Sequence, residues 1–246
     1  MRPARGVTPP SPWPARLDLL QSGTGLFLAL FMWLHMAFVS SILIGPDAFW
    51  IVARMFEGYY LFGEPLPWLV SGFVAFIFSL IVLHAALAMR KFPASWRQYR
   101  VYWTHMRGMA HTDTSLWLVQ VITGFLMFFL ASVHLYEMMM EPELIDPYGS
   151  ADLVWSGRTW PLLLLLLICV EVHGVVGLYR LALKWGWPSF GEPDRTRRIL
   201  RRAMWILIVF FITTGLLSLG SFVHMGMAHA PNAGELYTPS WMQERP

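Results

Sequence analysis

Four histidines lie inside long apolar stretches of the sequence, one in each of four different stretches: His35, His84, His134 and His173. A polar or ionisable side chain inside a membrane is costly unless it is paired or bound, so such residues are functional candidates. Two imidazoles from facing helices can ligate the two sides of one haem iron. One histidine on each of four helices therefore favours haem ligation. The alternative is that each histidine makes a hydrogen bond between packed helices.

An acidic residue lies in the same environment. The stretch 160–184 reads WPLLLLLLICVEVHGVVGLYRLALK and places Glu171 two residues before His173, near the centre of the membrane. A carboxyl group there is expensive unless it has a function, and we expect Glu171 to carry protons through the membrane. The alternative is a carboxyl group that hydrogen-bonds a cofactor edge or a neighbouring helix.

The composition predicts the class of protein that positions these residues. The chain has 246 residues, of which 56% are hydrophobic and 13% charged, and its mean hydropathy is +0.50. Apolar runs of about 20 residues predict a helical protein that spans the lipid bilayer several times, with no nucleic-acid partner. Cys169 is the one cysteine of the sequence, which excludes an intrachain disulfide, a thiolate-held iron–sulfur cluster and covalent haem attachment. Any haem is therefore expected to be b-type.

Five spans are predicted, at residues 20–44, 67–89, 115–139, 160–183 and 203–224. The expected fold class is an all-α integral membrane protein with five transmembrane helices, four of them bundled around two b haems. The segment 1–19 is expected to be a cytoplasmic N-terminal segment, and residues 1–18 within it, which are rich in proline and arginine, are expected to be extended. The helical domain is expected to cover 20–224, and an outer tail 225–246.

The distribution of basic residues predicts the orientation. Of the 18 Lys and Arg residues, 15 lie in the N-terminal segment and in the second and fourth connections, and three lie on the opposite side: Arg54, Arg158 and Arg245. By the positive-inside rule the N-terminus is cytoplasmic and the C-terminus outside. The outer side carries a set of acids, most of which we expect to be simply solvated: Asp47, Glu57, Glu64, Glu137, Glu141, Glu143, Asp146 and Asp152.

Depth sorts the four membrane histidines into two pairs, since a helix rises ~1.5 Å per residue. His35 and His134 lie toward the outer side and form the outer pair; His84 and His173 lie further in and form the inner pair. Each pair is expected to bind one haem. The other histidines are expected at the surface: His105, His111, His224 and His229.

A faint internal repeat supports this pairing. The segments TGLFLALFMWLH and TGFLMFFLASVH place a threonine eleven residues before each histidine of the outer pair, about three helical turns earlier on the same face. Thr24 and Gly25 in the first copy, and Thr123 and Gly124 in the second, are therefore expected level with the inner pair. Small residues there leave room for a second porphyrin.

Several long motifs resemble those of a known family: LDLLQSGTGLFLALFMWLHMAFVSSILIG, HAALAMRKFP, TGFLMFFLASVHLY and VEVHGVVGLYRLALKWGW. Over residues 15–225 the chain resembles the dihaem cytochrome b subunit of quinol:fumarate reductases, of the five-helix, single-subunit anchor type. The resemblance implies that the inner pair ligates the haem nearer the soluble subunits and the outer pair a distal haem. It also implies a bacterial inner membrane and two partners, an iron–sulfur subunit and a flavoprotein that carries FAD and reduces fumarate.

The resemblance also implies residues at the edges of the haems. Where relatives place an arginine near the distal haem, this chain has Leu153, and Arg158 is the nearest candidate. The family residues that hold the propionates of the haem nearer the soluble subunits match Gln21, Ser22, Trp117 and Lys184.

For proton transfer, the family's quinol-site glutamate corresponds to Gly63, with Glu64 beside it. We therefore expect Glu64, or failing that Glu57, to accept protons from the quinol. Glu171 resembles the glutamate of the family's transmembrane proton path.

The expected function is that of a membrane anchor that oxidises menaquinol and passes electrons over two b haems toward fumarate. One alternative is the same complex in reverse, a succinate:quinone reductase. Another is the cytochrome b subunit of a formate dehydrogenase, hydrogenase or nitrate reductase, and a third is a transporter or structural anchor with packing histidines. The assembly state stays open, and a dimer of heterotrimers is one candidate.

Overall fold

The computed structural model describes residues 11–109 and 112–243, and the regular structure within them is entirely helical. Arg2, Arg5, His111 and Arg245 lie outside the described residues. The helices are α1 (Trp13–Val39), α2 (Pro46–Phe56), α3 (Tyr59–Phe62), α4 (Pro67–Met89), α5 (Trp96–Met109), α6 (Thr112–Met140), α7 (Pro147–Trp155), α8 (Trp160–Trp185), α9 (Pro193–His229) and α10 (Ser240–Gln243). A 3-10 turn, Ser40–Leu43, continues α1.

Five of these helices are long and apolar enough to cross a membrane: α1, α4, α6, α8 and α9. Their outward faces carry large apolar side chains, such as Ile206 and Val209 of α9, which are 68% and 62% exposed. Apolar surface on this scale is typical of contact with lipid. The predicted all-α class with five spanning helices is confirmed.

Two helices extend furthest beyond the predicted boundaries. Residues 13–18 belong to α1 and are not extended, and α9 begins ten residues before the predicted span and continues to His229. The first turns of α9 contain arginine and leucine, which are strong helix formers, so the helix continues past the apolar span. Prolines in the first turn of α4, α8 and α9 start those helices at no cost in hydrogen bonds.

The spanning helices pack as a ring of four with a fifth beside it. Helix α1 contacts α4 and α8, helix α6 contacts the same two helices, and α9 packs on α8 and α7. Between α8 and α9, Val175, Val176 and Tyr179 are buried with Met204 and Ile208. The ring therefore encloses a space that α9 supports from one side.

The two ends of the bundle differ in charge. At one end, the basic end, α1 begins and α4 and α8 finish, and exposed cations there include Arg97, Arg100, Arg195, Arg198 and Arg202. At the opposite end, the acidic end, lie α2, α7 and residues 230–243, which we call the strap. Charge alone therefore distinguishes the two ends.

The strap folds back over the acidic end and is held by three aspartates. Asp47 accepts hydrogen bonds from the Tyr237 hydroxyl at 2.8 Å and from the Ser240 backbone and hydroxyl at 3.0 and 2.6 Å. Asp146 accepts from the Tyr237 backbone at 2.9 Å, and Asp152 accepts from the Gly234 backbone at 2.8 Å. These three aspartates are therefore not simply solvated and are exceptions to the expectation for most of the outer acids.

His229, at the end of α9, also departs from its predicted surface position. The residue is 8% exposed, its ring stacks on Tyr148 with centroids 4.1 Å apart, and its Nδ1 atom lies 3.0 Å from Asp152. His105 and His224 are exposed, as predicted. The buried histidine is explained by the strap, which covers this corner of the molecule.

Candidate functional site

A cavity of about 1190 Å³ lies within the ring of helices, and all four membrane histidines line it. His35 comes from α1, His84 from α4, His134 from α6 and His173 from α8. Its other wall residues are mostly apolar. A long apolar cavity with imidazoles on four facing helices is chemically suited to bind planar cofactors with a central metal.

Both histidines of the inner pair have the Nδ1 atom engaged. His173 Nδ1 donates to the backbone carbonyl of Gln120 at 2.8 Å, and His84 Nδ1 lies 3.0 Å from the Thr24 hydroxyl. A metal-binding histidine usually bonds its second ring nitrogen to a neighbour in this way, which fixes the ring and the protonation state. This arrangement leaves Nε2 of each ring available to bind a metal.

The two Thr-Gly pairs of the repeat lie beside these rings. A Cβ atom added at Gly25 would lie 2.9 Å from His84 Cε1, and one added at Gly124 would lie 2.5 Å from His173 Cε1. Since real Cβ atoms do not approach so closely, each imidazole can lie against its neighbouring helix only because that residue is glycine. The space beside each glycine is thus taken by a histidine ring.

The outer pair is brought together at the other depth of the cavity. The rings of His35 and His134 have centroids 6.4 Å apart and planes at 81°. His35 Nδ1 is buried and has no hydrogen-bond partner among the described residues. An orphaned buried nitrogen is unusual in a native structure, and it distinguishes His35 from the inner pair, whose Nδ1 atoms are both engaged.

The basic-end mouth of the cavity is polar. Gln21, Ser22, Trp117 and Lys184 all line it, and Lys184 donates to the Ser22 hydroxyl at 3.0 Å. Asp18 forms ion pairs with Lys91 and Lys184 at the same mouth. A polar, cationic rim on an apolar cavity fits the propionates of a haem whose ring lies deeper. The residues present therefore fit the predicted b-type haem.

At the acidic end the predicted residues are divided between the cavity wall and the surface. Leu153 lines the cavity, whereas Arg158 is exposed, in a left-handed backbone conformation with φ 56°, and is not on the wall. Arg158 is the nearest candidate in the sequence for a contact with the distal propionate. Its exposed position does not fit that role, because the guanidinium group is already solvated.

The comparisons with known proteins identify the family. A model described as "Succinate dehydrogenase/Fumarate reductase transmembrane subunit" matches residues 96–216. The fumarate reductase cytochrome b subunit of Wolinella succinogenes is 48% identical over 236 residues, which cover 94% of this chain and 92% of that protein. The subunit of the same name in Helicobacter pylori is 48% identical over 218 residues, covering 89% and 84%.

The chain belongs to the fumarate reductase cytochrome b subunit family. It is a membrane-anchor subunit of the succinate dehydrogenase and fumarate reductase class. The comparisons confirm the predicted family, and they favour it over cytochrome b subunits of other dehydrogenases and over a transporter.

In this cytochrome b subunit, the expectation that Glu64 rather than Glu57 accepts protons from the quinol does not fit the structure. Glu64 is exposed and absent from the cavity wall, whereas Glu57 is 0% exposed and lines it. Glu57 accepts a 2.5 Å hydrogen bond from Arg54. Burial raises the pKa of the Glu57 carboxyl, Arg54 opposes this effect and Asp146 adds to it. The sequence could not reveal this, because the family's glutamate corresponds to Gly63 and the motif does not show whether Glu64 or Glu57 points into the protein.

Glu171 is 1% exposed but does not line the cavity. Its Oε1 atom has no hydrogen-bond partner among the described residues. Thr123 likewise lies off the cavity wall, and its hydroxyl bonds the backbone carbonyl of Val119 at 2.7 Å. Glu171 is therefore inside the protein but separate from the space that the four histidines share.

Proposed function

We propose that this subunit oxidises menaquinol in the membrane and passes the electrons, over two b haems, to an iron–sulfur subunit and on to fumarate at an FAD-bearing flavoprotein. The observation that carries the proposal is the single cavity lined by four histidines on four helices. The names of the curated relatives, which are fumarate reductase cytochrome b subunits, support the same conclusion. A bound b haem would supply one-electron iron chemistry at each pair.

The chain's own residues have distinct roles in this proposal. The inner pair, His84 and His173, and the outer pair, His35 and His134, each hold one haem. The polar mouth holds the propionates of the first. The residues proposed for that contact are Gln21, Ser22, Trp117 and Lys184, all of which line the cavity.

Two buried acids are proposed to handle protons. Glu57, on the cavity wall at the acidic end, is placed to accept protons from the quinol. Moving one electron charge against the membrane potential costs about 2.3 kcal/mol per 100 mV, and a proton that travels the same way cancels that charge. Glu171, buried in α8, is proposed to relay this proton.

The partners are proposed to dock at the basic end. The relatives' names refer to a fumarate reductase complex, and such a complex joins this anchor to an iron–sulfur subunit and a flavoprotein. The positive-inside rule favours a cytoplasmic basic end and N-terminus. The resemblance to the bacterial family favours an inner membrane. The dimer of heterotrimers stays a prediction.

A second candidate is the same subunit in a succinate:quinone reductase, which the matching family description also covers. The two directions use the same residues. They are separated by the rates of fumarate reduction with menaquinol and of menaquinone reduction with succinate, measured on one purified complex.

The deciding experiment measures haem in the purified complex. A pyridine haemochrome assay is expected to give two b haems per chain. His84→Ala and His173→Ala are each expected to remove the same haem in a redox titration and to leave the other. One haem or none in the parent protein would contradict the proposal, and loss of different haems in the two variants would contradict the pairing.

A further inference from the structure

The Thr24 hydroxyl lies within hydrogen-bonding distance of three atoms. It is 2.9 Å from the Leu20 carbonyl, 3.1 Å from the Gln21 carbonyl and 3.0 Å from His84 Nδ1. A hydroxyl has one proton to donate, and threonine in a helix commonly gives it to a carbonyl one turn earlier. The oxygen lone pair of Thr24 then faces His84 and accepts the proton of Nδ1.

The tautomer of His84 follows from this arrangement. With the Thr24 proton given to the Leu20 carbonyl, the 3.0 Å contact is a hydrogen bond only when His84 carries its proton on Nδ1, which leaves the lone pair on Nε2. This is the form of neutral imidazole that binds a metal through Nε2.

The second copy of the repeat is built differently. The Thr123 hydroxyl bonds the carbonyls of Val119 and Gln120 at 2.7 and 3.3 Å, and His173 Nδ1 donates to the Gln120 carbonyl instead. The two equivalent threonines therefore differ in one respect. Thr24 contacts a histidine of the inner pair, whereas the bonds described for Thr123 are to its own helix.

Gly25 explains why Thr24 can reach the ring. A Cβ at this position would lie 2.9 Å from His84 Cε1, so the absence of a side chain allows the imidazole to lie directly against α1. Thr24 and Gly25 thus act together, the glycine admitting the ring and the threonine hydrogen-bonding it.

We propose that Thr24 is a positioning residue for His84, which holds the imidazole ring by its Nδ1 proton and sets its strength as a ligand through Nε2. The inference rests on the proposed haem ligation by the inner pair. A hydrogen-bond acceptor at Nδ1 makes an imidazole that binds through Nε2 a stronger electron donor to the metal. A stronger donor favours the oxidised iron and lowers its reduction potential.

The test compares three variants in the full complex: Thr24→Val, Thr24→Ser and Thr123→Val. Valine keeps the shape of threonine but cannot accept a hydrogen bond, and serine keeps the hydroxyl. Each variant is measured for haem per chain, for the midpoint potential of each haem by redox titration, and for the largest g value of the oxidised haems by electron paramagnetic resonance.

Thr24→Val is expected to shift the midpoint potential of the inner-pair haem upward and to change its g value, because the ring loses the acceptor that Thr24 offers to Nδ1 and one restraint on its rotation. The outer-pair haem is expected to be unchanged. Thr24→Ser should restore the parent values, and Thr123→Val should not differ from the parent protein.

The outcomes separate the inference from the proposed function. A parent complex without two haems overturns the function itself. Two haems in the parent, with unchanged potential and g value in Thr24→Val, overturn the inference alone. Loss of the inner-pair haem in Thr24→Val but not in Thr24→Ser or Thr123→Val supports it. Loss in both Thr24 variants overturns it, because packing and not the hydroxyl would then be decisive.

Discussion

At the scale of single residues, two glutamates of the described residues, Glu57 and Glu171, are almost fully buried, and their surroundings differ. Glu57 is paired with Arg54 and lies on the cavity wall. Glu171 lies away from that wall, and one of its oxygens has no hydrogen-bond partner among the described residues. A group beside the cavity can exchange protons with a substrate there, whereas a separate buried group is better suited to relay them.

The first prediction concerns Glu57 and its pKa. A base must be ionised to accept a proton, so quinol oxidation should rise with pH through the raised pKa of Glu57. The charge of Asp146 contributes to that raised pKa. Asp146→Asn keeps a residue able to cap α7 and should move the rise in activity to lower pH.

The measurement is the pH profile of quinol-driven fumarate reduction. Glu143→Gln, which changes an exposed acid of the same connection, is the control and should leave the profile in place. An unchanged profile in Asp146→Asn, or a shift to higher pH, would count against Glu57 as the proton acceptor.

The second prediction concerns Glu171. Glutamine has nearly the same shape but cannot carry a proton, so Glu171→Gln should keep both haems and lose quinol-driven fumarate reduction. Fumarate reduction with an artificial donor to the soluble subunits should be intact. Normal quinol activity with both haems present would leave Glu171 a structural residue only.

The third prediction concerns the glycines beside the inner pair. Gly25→Ala and Gly124→Ala would each press a methyl group against a histidine ring, and the tighter approach at Gly124 should have the larger effect. Both should lower the content of the inner-pair haem, read as haem per chain. Gly23→Ala is the matched control on α1, because a Cβ there meets nothing within 4 Å.

At the scale of elements, the strap and α2 form one unit at the acidic end. Asp47 and Trp50 of α2 hold Ser240 and Trp241 of the strap, the two indole rings lying 5.7 Å apart. The same short helix carries Phe49, Val52, Ala53 and Phe56 on the cavity wall. The strap therefore supports the wall segment next to Glu57.

The fourth prediction concerns this support. Asp47→Ala removes the three hydrogen bonds that Asp47 accepts from the strap, so α2 should become less ordered and the KM for quinol should rise several-fold, with both haems retained. The control is Glu235→Ala, which changes an exposed acid within the strap. An unchanged KM would mean that the strap does not position the wall.

The pH dependence of this contact has a definite sign. Hydrogen bonds from the Ser240 side chain and backbone, and from Tyr237, lower the pKa of Asp47. A carboxyl group with a lowered folded pKa stabilises the folded state above its ordinary pKa, and this contribution is lost as the pH falls through the lowered value. The strap should therefore hold at neutral pH and loosen only in strong acid.

The sequence predicted the spanning helices because a lipid-facing helix is apolar over its whole length. It did not predict α2, α7 or the strap, since their contacts join residues far apart in the chain. Asp47, Tyr237 and Ser240 look individually like ordinary loop residues. The repeat placed Thr24 and Thr123 in equivalent positions, and only the structure distinguishes the one that contacts a histidine.

At the scale of the whole molecule, charge divides the bundle into two different ends. Exposed arginines gather on α5 and on the first turns of α9. Within this end, Asp113 ties α6 to α9 through Arg197 and Arg201, at 3.2 Å each. The basic end is therefore held together internally and still presents cations outward.

The fifth prediction is that the iron–sulfur subunit binds this end. Cysteines placed at Arg97 and Arg195 should cross-link to the partner in the assembled complex. Cysteines at Glu64 and Glu143, which are exposed at the acidic end, should not. Cross-links confined to the acidic-end positions would reverse the proposed orientation.

The strap also has a consequence for the order in which the protein is made. Ser240 bonds Asp47 across 193 positions of the chain, and synthesis proceeds from the N-terminus. All five spans are therefore synthesised before the strap can form its hydrogen bonds with α2. Until those bonds form, the acidic end is less enclosed. We expect this interval to favour the entry of bulky prosthetic groups. A chain cut before the strap should acquire haem at least as fast as the full chain and release it sooner, which the rate of haem transfer to apomyoglobin would measure.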